Sequence, residues 1–185
     1  VKKLFEVYFM DDSPLPEDVE SQLNNTIAER TGDYDLVMVT DFGHGMLQPS
    51  TIKLLVEKAK FLAVNAQSNS ANLGYNLITR YPRADYICID THEARLAVGD
   101  KFKNVADIIS EDLSQRIDCD RITVTLGSDG CVTFENDTGV CEIPAITGSP
   151  IDTVGAGDAF FAITAPIVAS GAAMKDVGFI GNIAD

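Results

Sequence analysis

The sequence has no tryptophan and only two histidines, and it carries 14 Lys and Arg against 28 Asp and Glu, for a net charge of −14. Its densest basic pairs are Lys2-Lys3 and Lys101 with Lys103, so no basic stripe exists. That distribution excludes nucleic acid and anionic membrane surfaces as partners. The acidity by itself reads as a solvated surface. His44 and His92 have no Cys or His at ligand spacing, which argues against a zinc site. Cys88, Cys119, Cys131 and Cys141 form no C-x-x-C pair. Three of them fall in apolar strand-like runs, where cysteine behaves as a small buried hydrophobe. This usage fits a reducing compartment, and a cytoplasmic location is expected. No apolar run approaches the roughly 18 residues of a membrane span. Residues 1–4 lack the apolar core of a signal peptide. No G-x-x-x-x-G-K-S/T occurs, so the chain is not a P-loop protein. Asp41-Phe42-Gly43 spells the D-F-G of protein kinases, but neither H-R-D nor V-A-I-K accompanies it.

What is present is a steady alternation of strand-like and helix-like segments. The 185 residues, 45% of them hydrophobic, suffice for one domain over 1–185 with a buried core. Short β-branched runs predict strands at 35–40, 61–65, 86–89, 121–126, 131–134 and 140–144. Helices are expected at 16–30, 49–60, 92–98, 104–117 and 155–170, with one more from Lys175 and a short one over 73–80. Residues 4–10 read as extended. Pro166 predicts a kink or early stop in the helix that contains it. This order defines an α/β, Rossmann-like fold: a mostly parallel sheet flanked by helices, with antiparallel strands at one edge.

Ligands of such sheets sit beyond the carboxyl ends of the strands, and three motifs fall there. Gly155-Ala156-Gly157-Asp158 opens a helix. A helix start offers unpaired N–H groups and a positive dipole end, and glycine lets a ligand approach the backbone. Asp158 then stands where a carboxylate can act as general base on a hydroxyl that meets a phosphoryl group. The same residues also suit a Gly-rich turn with Asp158 as a dipole-favoured charge. Thr125 to Gly130, T-L-G-S-D-G, could lay phosphates against backbone, or simply close a hairpin. Asp90-Thr91-His92-Glu93 could order a divalent cation through water, or form a helix capping box.

Taken together, the motifs resemble a known family. D-T-V-G-A-G-D-A-F at 152–160 is similar to the second signature of the ribokinase (PfkB) carbohydrate kinases. V-T-L-G-S-D-G at 124–130 resembles that family's nucleotide loop, and Asp90-x-x-Glu93 its N-x-x-E motif, tied to Mg²⁺ and phosphate. Gly181-Asn182-Ile183-Ala184 looks like its A-N-A-A stretch near adenine. The resemblance implies a ribokinase-like fold and ATP- and Mg²⁺-dependent phosphoryl transfer to a hydroxyl of a sugar or phosphosugar. In that reading Asp158 is the base and the N–H groups of Gly155, Ala156 and Gly157 form the anion hole. Asp152 and Thr153 shape the loop. Thr125, Gly127 and Gly130 line the ATP site with Asn182, and Glu93 with Asp90 serves the metal. The stretch T-D-F-G-H-G at 40–45 is similar to the S-D-Y-x-K-G of the heptose-phosphate kinase branch.

The sequence also departs from the family. Asp90 replaces an asparagine, and His44 stands where the branch shows lysine. The family's N-terminal portion, with its Gly-Gly signature, sugar contacts and β lid, has no counterpart in these residues. The resemblance therefore implies the C-terminal portion of a longer kinase that is inactive alone and homodimeric when complete. A second reading, from a different class, is a non-catalytic nucleotide-binding or regulatory module that kept the fold.

Overall fold

The computed structural model describes residues 5, 7, 9, 11–69, 72–146 and 155–184. The predicted extended segment at 4–10 lies largely outside these residues, and the loop bearing Asp152 and Thr153 lies wholly outside them. The sheet has six strands in the order β1-β2-β3-β4-β5-β6. These are Val37–Asp41, Leu62–Ala66, Tyr86–Asp90, Arg121–Thr125, Gly130–Glu135 and Gly139–Pro144. The first four run parallel, with Val39 opposite Val64 and Ile89 opposite Val124. β5 and β6 are antiparallel and occupy one edge. The fold read from the sequence is the fold observed.

Alternation along the strands builds two cores. Leu62, Val64, Ile87, Ile89, Ile122 and Val124 face one side, where they meet Ile52 and Leu55 of α2 (Pro49–Lys58) and Ala94 of α3 (Thr91–Val98). The same side takes Ile108, Ile109 and Leu113, a wider π-type stretch between α4 (Val105–Asp107) and α5 (Ser114–Arg116). Ala63, Tyr86, Cys88 and Cys131 face the other side. There Phe160, Phe161, Ala165 and Val168 of α6 (Ala156–Ala169) and Val177 of α7 (Met174–Ala184) cover them. Each large side chain buried in this way stabilises the fold by about 1.5–3 kcal/mol. Tyr86 keeps its polar end satisfied, its hydroxyl lying 3.2 Å from Thr123 Oγ1 and 3.0 Å from Thr164 Oγ1. α1 (Glu17–Arg30) buries no residue and rests on α2, where Thr51 Oγ1 donates to Asn24 Oδ1 at 2.7 Å. No helix among the described residues is long and apolar enough to cross a membrane.

One local expectation fails, and the early stop considered at Pro166 does not occur, each for an identifiable reason. The helix predicted over 73–80 shrinks to a 3-10 turn at Ile78–Arg80. Asparagine side chains compete with helical hydrogen bonds here. Asn69 N donates to Asn72 Oδ1 at 2.9 Å, and Asn76 Nδ2 donates to the Asp41 carbonyl at 2.8 Å. Pro166 does not stop α6, which continues to Ala169. Ala162 and Pro166 are both exposed, so water reaches the carbonyl that the missing N–H leaves unpaired. Val168, buried beyond the proline, holds the last turn on the sheet.

Candidate active site at the carboxyl edge of the sheet

The parallel strands end level with one another. Asp41 is paired with Ala66 across β1 and β2, and Asp90 with Thr125 across β3 and β4. The residues just past these ends, together with the start of α6, form the site.

Gly155 sits at φ +82°, a left-handed conformation that side chains rarely adopt, and it opens α6 with no side-chain cap. The first helical bond is Ala159 N to the Gly155 carbonyl at 2.9 Å. The N–H groups before Ala159 therefore lack a partner within the helix, an arrangement that suits an anion. Among the described residues, a side chain at Gly155 or Gly157 would meet nothing within 4 Å. Packing against the described residues therefore does not dictate the small size of these residues, and at Gly155 the left-handed backbone does. Asp158 is exposed in the first turn, and its Oδ1 accepts from Gln67 Nε2 at 2.8 Å.

Asp90 and Glu93 form the capping box of α3. Glu93 N donates to Asp90 Oδ1 at 2.7 Å, and Asp90 N donates to Glu93 Oε2 at 2.9 Å. The other Glu93 oxygen, Oε1, accepts from Ser68 N at 3.0 Å, which joins α3 to the loop after β2. Burial pushes the Glu93 carboxyl up to about 7. The Asp90 charge adds to the rise, the two backbone donors oppose it, and Asp158 contributes a smaller upward push. Both Glu93 oxygens already carry backbone donors. A cation here would be reached through water, as suits Mg²⁺. No group of three or more His, Cys, Asp or Glu among the described residues is placed to hold a metal ion directly.

The residues expected to hold nucleotide divide into two places. Thr125 lies beside Asp90, and its carbonyl accepts from Thr91 Oγ1 at 3.0 Å. Gly127 opens the turn between β4 and β5, where Leu126 N donates to the Gly130 carbonyl at 2.7 Å, so the expected hairpin is present. Gly130, at φ +103°, begins β5 against the backbone of Ile143 to Ala145, which any side chain there would strike. Asn182 is buried on α7, and its Nδ2 donates to the carbonyls of Ile143 at 3.2 Å and Pro144 at 3.1 Å. Gly130 and Asn182 thus meet at the end of β6, apart from the carboxylates.

Sequence reading passed over the loop that unites the acidic groups. Gln67 and Ser68 lie in the polar run Q-S-N-S-A-N directly after β2, and that position was the available signal. The residue behind this loop is Asp41, the aspartate of the misleading D-F-G. It is 3% exposed and accepts from Tyr81 OH at 2.8 Å, Arg80 Nη1 at 3.2 Å and Gly43 N at 2.9 Å. Burial and the Asp41 charge hold the Tyr81 hydroxyl well above its usual range, so it stays a donor. His44 is turned to Asp12 Oδ1 through Nδ1 at 2.9 Å.

A mostly parallel α/β sheet with a glycine-opened, uncapped helix and an exposed carboxylate at its carboxyl edge defines a Rossmann-like protein. The profile described as pfkB family carbohydrate kinase matches residues 68–184. The chain belongs to the pfkB family of carbohydrate kinases. It is 23% identical over 172 residues to the bifunctional protein HldE of Pelobacter propionicus, covering 92% of this chain and 35% of that protein. It is 27% identical over 165 residues to HldE of Hydrogenovibrio crunogenus, covering 88% and 33%. These matches are consistent with the heptose-phosphate kinase branch. Among solved structures, the tetrameric inhibited form of Escherichia coli phosphofructokinase-2 superposes with a TM-score of 0.74 at 14% identity, covering 91% of this chain and 56% of that one. A Burkholderia thailandensis nucleoside kinase in complex with inosine gives 0.62 at 21% identity, covering 89% and 53%. The chain thus spans about a third of the curated relatives' length and about half of the solved structures'.

Proposed function

We propose that the complete protein transfers the γ-phosphoryl group of ATP to a hydroxyl of a sugar or phosphosugar, with Asp158 as general base. The observation that carries this reading is the uncapped start of α6, where a left-handed Gly155 and an exposed Asp158 stand within one turn. An acceptor hydroxyl beside Asp158 gives its proton to the carboxylate. Its oxygen bonds to the γ-phosphorus as the bond from phosphorus to the β–γ bridging oxygen breaks and ADP leaves. The backbone N–H groups of Gly155, Ala156 and Gly157 hold the equatorial oxygens through that step. Such transfer is governed by positioning and charge stabilisation, which this end of α6 provides. Mg²⁺ would supply charge neutralisation between the phosphates, with Asp90 and Glu93 reaching it through water. Thr125, Gly127 and Gly130 would take the nucleotide, with Asn182 toward the base and Asp152 and Thr153 shaping the loop. The 40–45 stretch and the relatives named HldE support a phosphosugar acceptor.

The test is phosphoryl transfer from ATP by the protein expressed from its complete reading frame, with Mg²⁺, against sugars, phosphosugars and nucleosides. Asp158→Asn is expected to lower kcat by at least about 10²-fold while ATP still binds. Unchanged turnover would remove Asp158 from the base role. ATP binding with no transfer to any acceptor would favour a nucleotide-binding module instead.

A further inference from the structure

We infer that Gln67 is the positioning residue for Asp158, an inference that rests on the reading of Asp158 as base. Gln67 Nε2 donates to Asp158 Oδ1 at 2.8 Å across 91 residues of sequence. The rest of Gln67 is held from both sides. Its N–H donates to the Asp41 carbonyl at 2.8 Å, and its own carbonyl accepts from Asn76 Nδ2 at 3.3 Å. Asn76 is fixed in turn by its bond to the Asp41 carbonyl and by Arg80, which donates to its Oδ1. Arg80 also donates to the Leu47 carbonyl at 2.6 Å, and Ser68, the next residue along, is tied to Glu93. A backbone locked by this many bonds presents its side chain from a fixed point, the condition for a precise reacting geometry.

The chemistry suits the role. A carboxylate serving as base needs one oxygen oriented and the other left for the incoming proton. An amide N–H orients Oδ1 without neutralising the charge, as a lysine or arginine would, and it cannot take the proton in place of Oδ2. Gln67 therefore acts through Asp158 and does not touch the reacting atoms.

The experiment compares Gln67→Met, Asp158→Asn and the double variant in the protein from its complete reading frame. Radiolabelled ATP is used so that residual turnover is readable, and thermal midpoints serve as the folding control. Gln67→Met keeps the length of the side chain and removes its donor. It is expected to lower kcat about tenfold, the size of one charge-assisted hydrogen bond, with KM for ATP and acceptor within about twofold. In the Asp158→Asn background it is expected to add no further loss. Unchanged kcat, a change confined to KM, or an equal loss in both backgrounds would each overturn the inference while leaving Asp158 as base. Full activity of Asp158→Asn would instead overturn the base reading itself, and the inference with it.

Discussion

Two groups of glycines in this molecule look alike in sequence and do opposite work. At the start of α6, side chains at Gly155 and Gly157 would meet none of the described residues within 4 Å. Around β5 and α7 there is no such room. Gly130 abuts the backbone of Ile143 to Ala145, Gly178 abuts the side chains of Ile143, Thr133 and Cys131, and Gly181 abuts the ring of Phe160. The second group is small because the protein presses against it. In the first, the left-handed backbone of Gly155 calls for glycine while no described neighbour crowds Gly155 or Gly157, so the start of α6 is left open. A Gly-rich motif near a helix start therefore does not reveal its purpose until the surrounding volume is known.

The largest effect expected from this contrast is at Gly130. Gly130→Ala combines a left-handed backbone with a backbone collision, and it should cost about 3 kcal/mol or more, read from urea unfolding. A loss below about 1 kcal/mol would break the contrast on its packed side. The middle effect concerns Glu93, the buried member of the open region. Its carboxyl is raised from 4.5 to about 7, so between those values the folded chain binds more protons than the unfolded one. Its contribution to stability is therefore greatest at low pH, falls as pH rises from about 4.5 to 7, and is flat beyond. Measured with a chelator present, the wild type should lose about 3 kcal/mol relative to Glu93→Gln between pH 4.5 and 8. A constant difference across that range would show that Glu93 is not held in its raised state. The smallest effect on the fold is at Gly157. Gly157→Ala should leave stability unchanged or raise it by up to about 1 kcal/mol, because alanine favours helix, while phosphoryl transfer by the complete protein falls. Clear destabilisation by Gly157→Ala would break the contrast on its open side.

Much of the fold was legible because the signals are local. β-branched runs such as D-L-V-M-V-T and R-I-T-V-T-L became strands, and the Asp90–Glu93 capping box needed only a spacing of three. The helix expected at 73–80 was lost to asparagines whose partners lie partly on another element, as with Asn76 and the Asp41 carbonyl at the end of β1. The early stop considered at Pro166 does not occur because a proline's cost depends on which side of the helix faces water. The site was legible only in pieces. Asp158 and Glu93 carry their own sequence patterns, whereas Gln67 has none, because its role depends on a partner 91 residues away. Asp41 shows the same limit from the other side. Its D-F-G stands without companion motifs, and nothing in the sequence marks the burial against Tyr81 and Arg80 that makes it a structural anchor.

The order of the strands also has a kinetic side. β4, β5 and β6 follow one another as hairpins, so their pairing closes only short loops. The parallel pairs are dearer in chain entropy: Val37 reaches Leu62 only after the whole of α2 has been traversed. By contact order the hairpin edge forms first and the parallel edge later. The bridge from Gln67 to Asp158 joins the late-forming edge to a helix near the other end of the chain. Its loop is long enough that it completes only after most of the sheet is in place. On this account the contact between Gln67 and Asp158 is expected among the last in the chain to form.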